Sequence, residues 1–326
     1  MKNKWKDIGE TFIGFVIGAA LGLGIFYVVD NYFAWEYYYF DNLILHGINE
    51  KKITIEEKNK YYRDYNFEYV QTTNTFFPTN HQDIRNIFYT FLNSGQEEFT
   101  FYCPKNYKEC MDEVNDIIYD EKKSEIGNIY VFNHPFNDYK TIQLSKLTKA
   151  GQNTLKVKKK YKKEDIEKIE KEVDRLFNQL YDKNKSDYDN IKTIHDYLVE
   201  NVEYDSVKSD FIKKKSDTDS IYHSDSAYGP LFEGYGICSG YTDTMLLFLE
   251  KMHIKNYRIA TKTHIWNAVQ LDGTWYHIDL TWDEGKYTNG KTFVRDKYFM
   301  ITTEQLLEND QEIHNFDQNI YLELKQ

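Results

Sequence analysis

The chain has 326 residues and a formal net charge of −11 at pH 7. This length allows one to three domains with an ample hydrophobic core. An acidic chain without a sustained basic face argues against nucleic acid as a partner. Its four prolines argue against a proline-rich linker.

The first predicted element is a membrane-spanning helix over Thr11–Val29, a stretch of 19 residues without a charged side chain. As a helix it would be about 28 Å long, enough to cross the hydrocarbon core of a bilayer. Three lysines precede it, and acidic residues follow. The positive-inside rule therefore predicts a cytoplasmic tail over 1–10 and an extracellular location for the rest of the chain. A cleaved signal peptide is the alternative, but no small-x-small cleavage site follows the apolar run.

Three glycines recur at every fourth position of this stretch, namely Gly14, Gly18 and Gly22. On a helix they lie on one face and form a tandem GxxxG motif, which allows membrane helices to pack closely. The motif predicts a homodimer through the membrane helix. The alternative is that glycine is simply common in such helices, and the sequence leaves both interpretations open.

Residues 30–155 are predicted to form a small extracellular α+β domain of unknown role. Alternating apolar residues indicate strands, and apolar residues at helical spacing indicate helices. The predicted strands are 67–73, 97–102, 128–132 and 139–144, and the predicted helices are 83–92 and 110–118. Cys103 and Cys110 lie seven residues apart, and they either form a disulfide outside the cell or remain free thiols.

A basic run with six lysines lies between residues 155 and 163. Such a run contacts anionic lipid or cell-wall polymer, or it is simply a solvated surface. An amphipathic helix is predicted over 166–180, and Ser186 with Asp189 predicts a capping box that opens a second helix. Residues 206–226 are rich in serine, aspartate and lysine, which predicts a mobile flap near the site or a surface insertion.

Cys238 lies between Gly236 and Gly240, immediately before an apolar run with helical spacing. This spacing places the cysteine at the N-terminus of a helix, where free N–H groups favour negative charge and lower a thiol pKa. The two glycines let backbone and substrate approach closely. For a cysteine alone, the alternative is a buried and inert side chain.

A β-hairpin is predicted around Asp272-Gly273, with strands over 265–271 and 274–280. Side chains alternate across a sheet, so one face carries His264, Trp266, His277 and Asp279. The other face carries apolar residues expected in the core.

His264 and Asp279 are diagonal neighbours in this hairpin, roughly 7–8 Å apart at the backbone and in reach of each other. A carboxylate that orients a histidine, while the histidine activates a nucleophile, has the logic of a catalytic triad. The sequence therefore predicts Cys238, His264 and Asp279 as the catalytic residues.

The chain resembles the transglutaminase-like superfamily, a branch of the papain-like cysteine enzymes, in the strings GYGICSGYTDTM and HIWNAVQLDGTWYHIDLTWD. Cys238, His264 and Asp279 match the family's cysteine at a helix start, histidine opening a strand and aspartate on the following strand. The resemblance implies an α+β fold over 156–326, in which the helix bearing the cysteine packs on an antiparallel sheet bearing the histidine and aspartate.

The resemblance implies acyl transfer through a thioester, with a peptide or protein amide as substrate. The predicted extracellular location suggests a substrate in the cell wall or at the cell surface. Water as acceptor gives a peptidase or amidase, and an amine gives a transglutaminase. We favour hydrolysis because it needs no second substrate site. Tyr204 and Trp266 are the predicted oxyanion or substrate contacts, and no cofactor is expected.

Two other classes of protein stay open. One is a non-catalytic binding or scaffold module on the same fold. The other is a metal site, whose candidate ligands are Cys238, His264, His277 and Asp279. A closed zinc site favours several thiolates or histidines at short spacing, so the sequence favours nucleophilic catalysis over a metal.

Overall fold

The computed structural model describes residues 59–148, 151–286 and 292–325, together with residues 23, 25, 27, 28 and 55. The predicted cytoplasmic tail, the glycines of the GxxxG motif and most of the predicted membrane helix therefore lie outside the described residues. The four described positions of that stretch are helical and their side chains are exposed. Within the described ranges, no helix is both long enough and apolar enough to span a bilayer. The membrane helix stays a prediction.

The first part of the described chain combines three α-helices with a three-stranded antiparallel sheet. These elements are α1 (His81–Ser94), β1 (Glu98–Tyr102), α2 (Cys110–Tyr119), α3 (Glu125–Tyr130), β2 (Tyr139–Leu147) and β3 (Gln152–Lys159). The strands lie in the order β1-β3-β2. Helix α1 begins where the Asn80 side chain accepts the Asp83 N–H, and it ends at Gly95, whose φ is 75°.

Two strands and two helices predicted in this part are confirmed: 97–102, 139–144, 83–92 and 110–118. The strand predicted over 67–73 is wrong, because the Phe67 N–H binds the Val70 carbonyl at 3.0 Å in a local turn. The strand predicted over 128–132 is also wrong, since the chain there forms the end of α3 and a turn. In both segments, buried apolar side chains belong to irregular or helical backbone rather than to a strand.

Cys103 and Cys110 form a disulfide, with their Cα atoms 5.7 Å apart. Both residues are buried, and the bond links the end of β1 to the start of α2. The sequence left this bond open. With it formed, Cys238 is the free cysteine of the chain.

The second part places helices around a four-stranded antiparallel sheet. Its elements up to the predicted hairpin are α4 (Lys163–Leu180), α5 (Asp187–Asn201), β4 (Glu203–Tyr204), α6 (Ser206–Ile212), β5 (Tyr235–Gly236), α7 (Cys238–Lys251), β6 (Asn256–Ala260), β7 (Ile265–Leu271) and β8 (Thr274–Ile278). The elements after it are α8 (Leu280–Asp283), β9 (Glu284–Lys286), β10 (Thr292–Val294), β11 (Phe299–Ile301), α9 (Thr303–Asn309) and α10 (Gln311–His314). The central sheet has the order β11-β8-β7-β6, while β4 pairs with β5 and β9 with β10.

Both helices predicted before the central sheet are confirmed as α4 and α5. The hydroxyl of Ser186 accepts the Asp189 N–H at 3.1 Å and caps α5, which confirms the serine half of the predicted capping box.

The hairpin of β7 and β8 has the predicted register, because Leu271 pairs with Thr274 across a two-residue turn. Asp272 and Gly273 occupy that turn with φ of 51° and 82°, the left-handed conformations that such a turn requires. Strand β8 ends at Ile278. The second strand was predicted to run through Asp279 to residue 280, but it ends one residue before Asp279.

The two predicted domains share their hydrophobic cores. The predicted boundary at residue 155 falls inside β3. Phe67 and Phe132 of the first part pack on Tyr257 of β6, with ring centroids 5.1 and 5.2 Å apart. The opposite face of the central sheet packs against α4, α5 and α7. The sheet is therefore buried on both faces, and the first part of the chain covers one of them.

A buried charged group, called here the Arg258 cluster, also joins the two parts. It consists of Arg258 on β6, Asp243 on α7, and Asp138, Lys160 and Tyr161 from the first part and the start of the second. The Arg258 guanidinium lies 2.5 and 2.8 Å from the two Asp138 carboxylate oxygens and 3.0 Å from Asp243. Lys160 Nζ lies 2.9 Å from Asp243, so the predicted basic run is not one solvated face.

The segment 206–226 begins with α6 and ends beside α7. Ser224 is fully buried, and its hydroxyl donates to Asp205 at 2.7 Å. Its carbonyl accepts the Ile237 N–H at 2.8 Å. Ile221, three residues earlier, is 85% exposed. This fixed end favours the surface-insertion interpretation over a mobile flap.

Candidate active site

Cys238 is the first residue of α7, as predicted, and its side chain is partly exposed. The residue before it is Ile237, and no side chain caps the first N–H groups of the helix. Free N–H groups and the helix dipole favour negative charge at the start of a helix. The thiol is therefore both accessible and placed where negative charge is stabilised.

Gly240 packs against the segment that ends at residue 226. A Cβ atom at Gly240 would lie 2.2 Å from the Ser224 carbonyl oxygen, so only glycine fits there. Ser239 also donates from its hydroxyl to the Asp225 carbonyl at 3.0 Å. The glycine therefore lets backbone approach closely, as predicted, but this backbone fills the space that substrate was expected to use.

His264 and Asp279 form a buried pair at adjacent ends of the hairpin, as their positions in the sequence predicted. Nε2 of His264 lies 2.5 Å from Oδ2 of Asp279. An ionised carboxylate only accepts hydrogen bonds, so Nε2 of His264 carries the proton that it donates. The other ring nitrogen remains for Cys238, whose side chain also interacts with the His264 ring.

The charges of this pair stabilise each other. Burial lowers the pKa of His264, but the charge and hydrogen bond of Asp279, with a contribution from Cys238, raise the pKa to about 10. Burial raises the pKa of Asp279, but His264 and His314 beside it outweigh this effect and hold the pKa of Asp279 below its ordinary value. The pair therefore favours an imidazolium next to the thiol.

Asp279 accepts four hydrogen bonds. Oδ1 accepts the N–H groups of Thr281 and Trp282 at 3.0 and 3.3 Å, and so caps α8. Oδ2 accepts from His264 and also from Nε2 of His314, which lies 3.0 Å away. A carboxylate offers about four lone-pair sites. All of them are occupied here, which fixes the orientation of the side chain.

His314 is a member of the site that the sequence did not indicate. It is the last residue of α10, is fully buried, and stacks on Tyr298 with ring centroids 5.2 Å apart. It lies in a short polar stretch without strand register or clear helical periodicity. No local signal could have placed it, because tertiary packing alone brings it to Asp279.

Trp266 forms a wall beside His264, with ring centroids 5.5 Å apart and planes at 21°. Its indole N–H donates to Nδ1 of His277 at 3.0 Å, and Nε2 of His277 lies 3.0 Å from the Thr303 hydroxyl. Burial, with a contribution from the charge of His314, lowers the pKa of His277 to about 3, so this ring is neutral. The predicted role of Trp266 as an oxyanion donor does not fit, because its N–H is already bonded. His277 is a packing residue.

Tyr204 lies in β4, paired with Gly236 of β5 just before the cysteine helix. Its hydroxyl donates to the Ser209 hydroxyl at 3.0 Å. Burial raises the pKa of Tyr204, and the nearby Cys238 adds to this rise. Tyr204 is therefore close to the thiol, but its proton points at Ser209 instead of towards the reacting group.

His195 is a structural residue. It is fully buried in α5, with ring nitrogens 2.9 Å from Asp196 and 3.2 Å from Asp283. Burial lowers the pKa of His195, but these two carboxylates outweigh it and raise the pKa. Asp283 also accepts the Tyr298 N–H at 2.9 Å, so the histidine anchors α8 to α5.

Two groups among the described residues bring three possible metal ligands within 4.8 Å of one another: His264, Asp279, His314 and His195, Asp196, Asp296. In the first group both histidine nitrogens already lie at hydrogen-bond distance from one carboxylate oxygen. In the second group the Lys192 ammonium contacts both carboxylates. The four-ligand set considered from the sequence is not brought together, because His277 bonds to Trp266 and Thr303.

One comparison with known protein families agrees with the sequence resemblance. Residues 174–280 match the family model of the transglutaminase-like superfamily. A solved crystal structure of a TGase is similar over 50% of this chain, with 14% sequence identity and a TM-score of 0.34. The similarity covers 48% of that protein, so the chain spans about half its length. No curated protein sequence matches the chain.

The matched stretch contains Cys238, His264 and Asp279, and runs from within α4 to the first residue of α8. This stretch is therefore similar to the transglutaminase-like superfamily.

Proposed function

We propose that the chain is a thiol enzyme that transfers acyl groups from peptide or protein amides. The observation that carries this proposal is the buried pair of His264 and Asp279 beside Cys238 at the start of α7. A nucleophile needs a base in reach and a third group that orients the base. These three side chains supply those parts.

In the proposed reaction, the Cys238 proton passes to His264 and Sγ attacks the amide carbonyl carbon. The oxyanion that forms accepts the N–H of Cys238. The C–N bond then breaks as the His264 imidazolium gives its proton to the leaving amine, which leaves a thioester. Water attacks the thioester while His264 takes its proton, and the free thiol is restored with release of the acid.

The acceptor that we favour is water, because hydrolysis needs no second substrate site. An amine would attack the same thioester and give a cross-linked product. The two outcomes share the first half-reaction. They differ in whether water or an amine attacks the thioester, and the three side chains do not decide this.

The proposal is tested by acylation of the full chain with a small activated ester, followed by intact mass measurement. We expect one acyl group on Cys238, formed rapidly and lost over time in water. Cys238→Ala should gain none. Adding a primary amine should leave the rate of acyl loss unchanged if water is the acceptor, and should yield an amide product if the enzyme is a transglutaminase.

A Cys238 that is never acylated faster than a free thiol would overturn the enzymatic proposal. The chain would then be better described as a binding or scaffold module on this fold. His264→Gln separates the two cases, because it should abolish rapid acylation only if the histidine acts on the thiol.

We also propose that the chain is a single-pass membrane protein with its cytoplasmic tail over 1–10 and its folded part outside the cell. The uncharged stretch over 11–29, with lysines before it and acids after it, supports this topology. The disulfide between Cys103 and Cys110 supports an oxidising compartment. A peptide or protein of the cell wall or surface is the substrate class that fits this location.

Protease treatment of intact cells tests the topology. The folded part should be removed while a short N-terminal fragment stays protected. Complete protection with the membrane intact would contradict it.

We propose in addition that the membrane helices pair through Gly14, Gly18 and Gly22. Gly18→Leu should weaken self-association in a membrane reporter, since a leucine keeps the helices apart. Ala20→Leu, which changes a residue of similar size off the glycine face, is the control. An equal signal from both variants would remove the proposed dimer.

A further inference from the structure

A fourth side chain acts on the proposed site from outside the stretch matched by the family. His314 lies 34 positions beyond residue 280, yet its Nε2 shares the Oδ2 atom of Asp279 with His264. The carboxylate only accepts, so Nε2 of His314 carries the proton of this hydrogen bond. One carboxylate oxygen thus serves two imidazoles.

This sharing changes what Asp279 can do for His264. A hydrogen bond to the charged form of a carboxylate stabilises that form and disperses its charge. The more charge Asp279 directs towards His314, the less it offers to hold the proton on His264. His264 must also release that proton to the leaving amine, and a general acid works best when its pKa lies near the operating pH.

We propose that His314 is a positioning residue that fixes Oδ2 of Asp279 and limits how tightly His264 holds its proton. The inference rests on the proposed function and names how the same site is tuned. It does not place His314 in contact with substrate, because the side chain is fully buried.

Among the described residues, the side-chain carboxylate that His314 bonds to is that of Asp279. Its Nδ1 faces the backbone carbonyl of Asp310 at 3.3 Å. The titratable groups around the ring are His264 at 5.4 Å and Tyr298 at 5.2 Å between ring centroids, with the neutral His277 on β8. The rings of Trp266 and Trp282 also lie against His314, with ring centroids 5.0 and 5.5 Å away.

The test is the pH dependence of Cys238 alkylation by iodoacetamide in the full chain. Cys238 is the free thiol once Cys103 and Cys110 are bonded. A thiolate–imidazolium pair gives two limbs, one where the pair forms and one, at higher pH, where His264 loses its proton. His314→Phe keeps the stacking on Tyr298 but removes the hydrogen bond, so the upper limb should move up by roughly 0.5–1 pH unit.

Two further variants separate tuning from loss of packing. His314→Gln can still donate to Asp279, and should return the upper limb towards its wild-type position. His195→Phe removes another fully buried histidine bonded to a carboxylate, but one that does not touch Asp279. It should lower the melting temperature without moving the upper limb.

An upper limb that stays in place or moves down in a folded His314→Phe protein would overturn the inference. If His314→Phe does not fold, a His314→Gln limb displaced as far as that of Asp279→Asn would overturn it as well. The proposed function fails in a different way: wild-type Cys238 would then show one limb near pH 8.5, as an ordinary thiol does.

Discussion

Two buried groups of charged residues lie close to helix α7: the Arg258 cluster and the residues around Asp279. They differ in whether their cation can release a proton. In the Arg258 cluster, the cation is a guanidinium that donates to Asp138, to Asp243 and to the backbone carbonyls of Tyr130 and Asn133. In the other group, the cation is the imidazolium of His264 beside Asp279. Arginine does not release its proton in proteins, whereas histidine titrates near neutral pH.

The second difference is access. The Arg258 and Asp243 side chains are each 1% exposed, because they lie between the two parts of the chain. His264 is 8% exposed and adjoins a thiol that is partly exposed. A buried group of charged residues is therefore a candidate for catalysis when its cation can titrate and it adjoins a partly exposed nucleophile. A buried group without these features has a structural role.

The largest effect should come from breaking the Arg258 cluster. Arg258→Met leaves Asp138 and Asp243 with less compensation in the interior, so the free energy of unfolding should fall by about 3–5 kcal/mol. Urea denaturation measures the change. The matched control is Arg175→Met, which removes an exposed pair with Glu172 and should have a much smaller effect. Equal losses in the two variants would contradict the comparison.

Asp279 should control the reactivity of Cys238. Asp279→Ala removes the charge that stabilises the His264 imidazolium, so the apparent thiol pKa should rise by about 1–3 units. Asp279→Asn keeps an acceptor for α8 and should fall between Asp279→Ala and wild type. The measurement is the pH dependence of alkylation, with His277→Ala as control. A shift in the control, with none in either Asp279 variant, would mean that the wrong residues are assigned.

The two groups should also differ in how stability depends on pH. The pKa of His264 is raised from 6.5 to about 10, so the folded protein retains a proton that the unfolded chain loses in that window. This stabilisation is complete below pH 6.5, and falls by up to about 1.4 kcal/mol per pH unit as pH rises through the window. Comparing denaturation of wild type and His264→Gln isolates this contribution. Parallel pH profiles would show that His264 does not carry it.

The smallest of these effects should come from the edge of the Arg258 cluster. The Tyr161 hydroxyl donates to Asp243 at 2.7 Å and accepts the Ala227 N–H at 2.9 Å. Tyr161→Phe should therefore lower the free energy of unfolding by about 1.5 kcal/mol and leave the alkylation profile unchanged. Tyr188→Phe, at a tyrosine that is 46% exposed, is the control for the loss of a hydroxyl. A shifted alkylation profile would show that the two groups are coupled.

Local rules explain why the pair of His264 and Asp279 could be predicted from sequence. A two-residue turn fixes the register of a hairpin, and alternation then decides which side chains share a face. Helical spacing after Cys238 likewise fixed the start of α7. The aspartate's further role as cap of α8 was not predicted, because the second strand was expected to continue through it.

Contacts between distant parts of the chain could not be predicted in this way. His314 is 35 positions from Asp279, and Arg258 is 120 positions from Asp138. No turn or periodicity links such residues, and their placement depends on how whole elements pack. The strand expected over 67–73 failed for a related reason, because alternating aromatic residues also suit an irregular segment whose side chains enter a core.

The shared core separates two meanings of the word domain. Residues 174–280 match one family model, but a recombinant fragment of these residues would lack the side chains that cover one face of its sheet. Its Arg258 would have lost Asp138, and its Asp279 would have lost His314. The stretch that matches the family model is therefore not a unit with a complete core of its own. Grafting it into another protein would require its neighbours to travel with it.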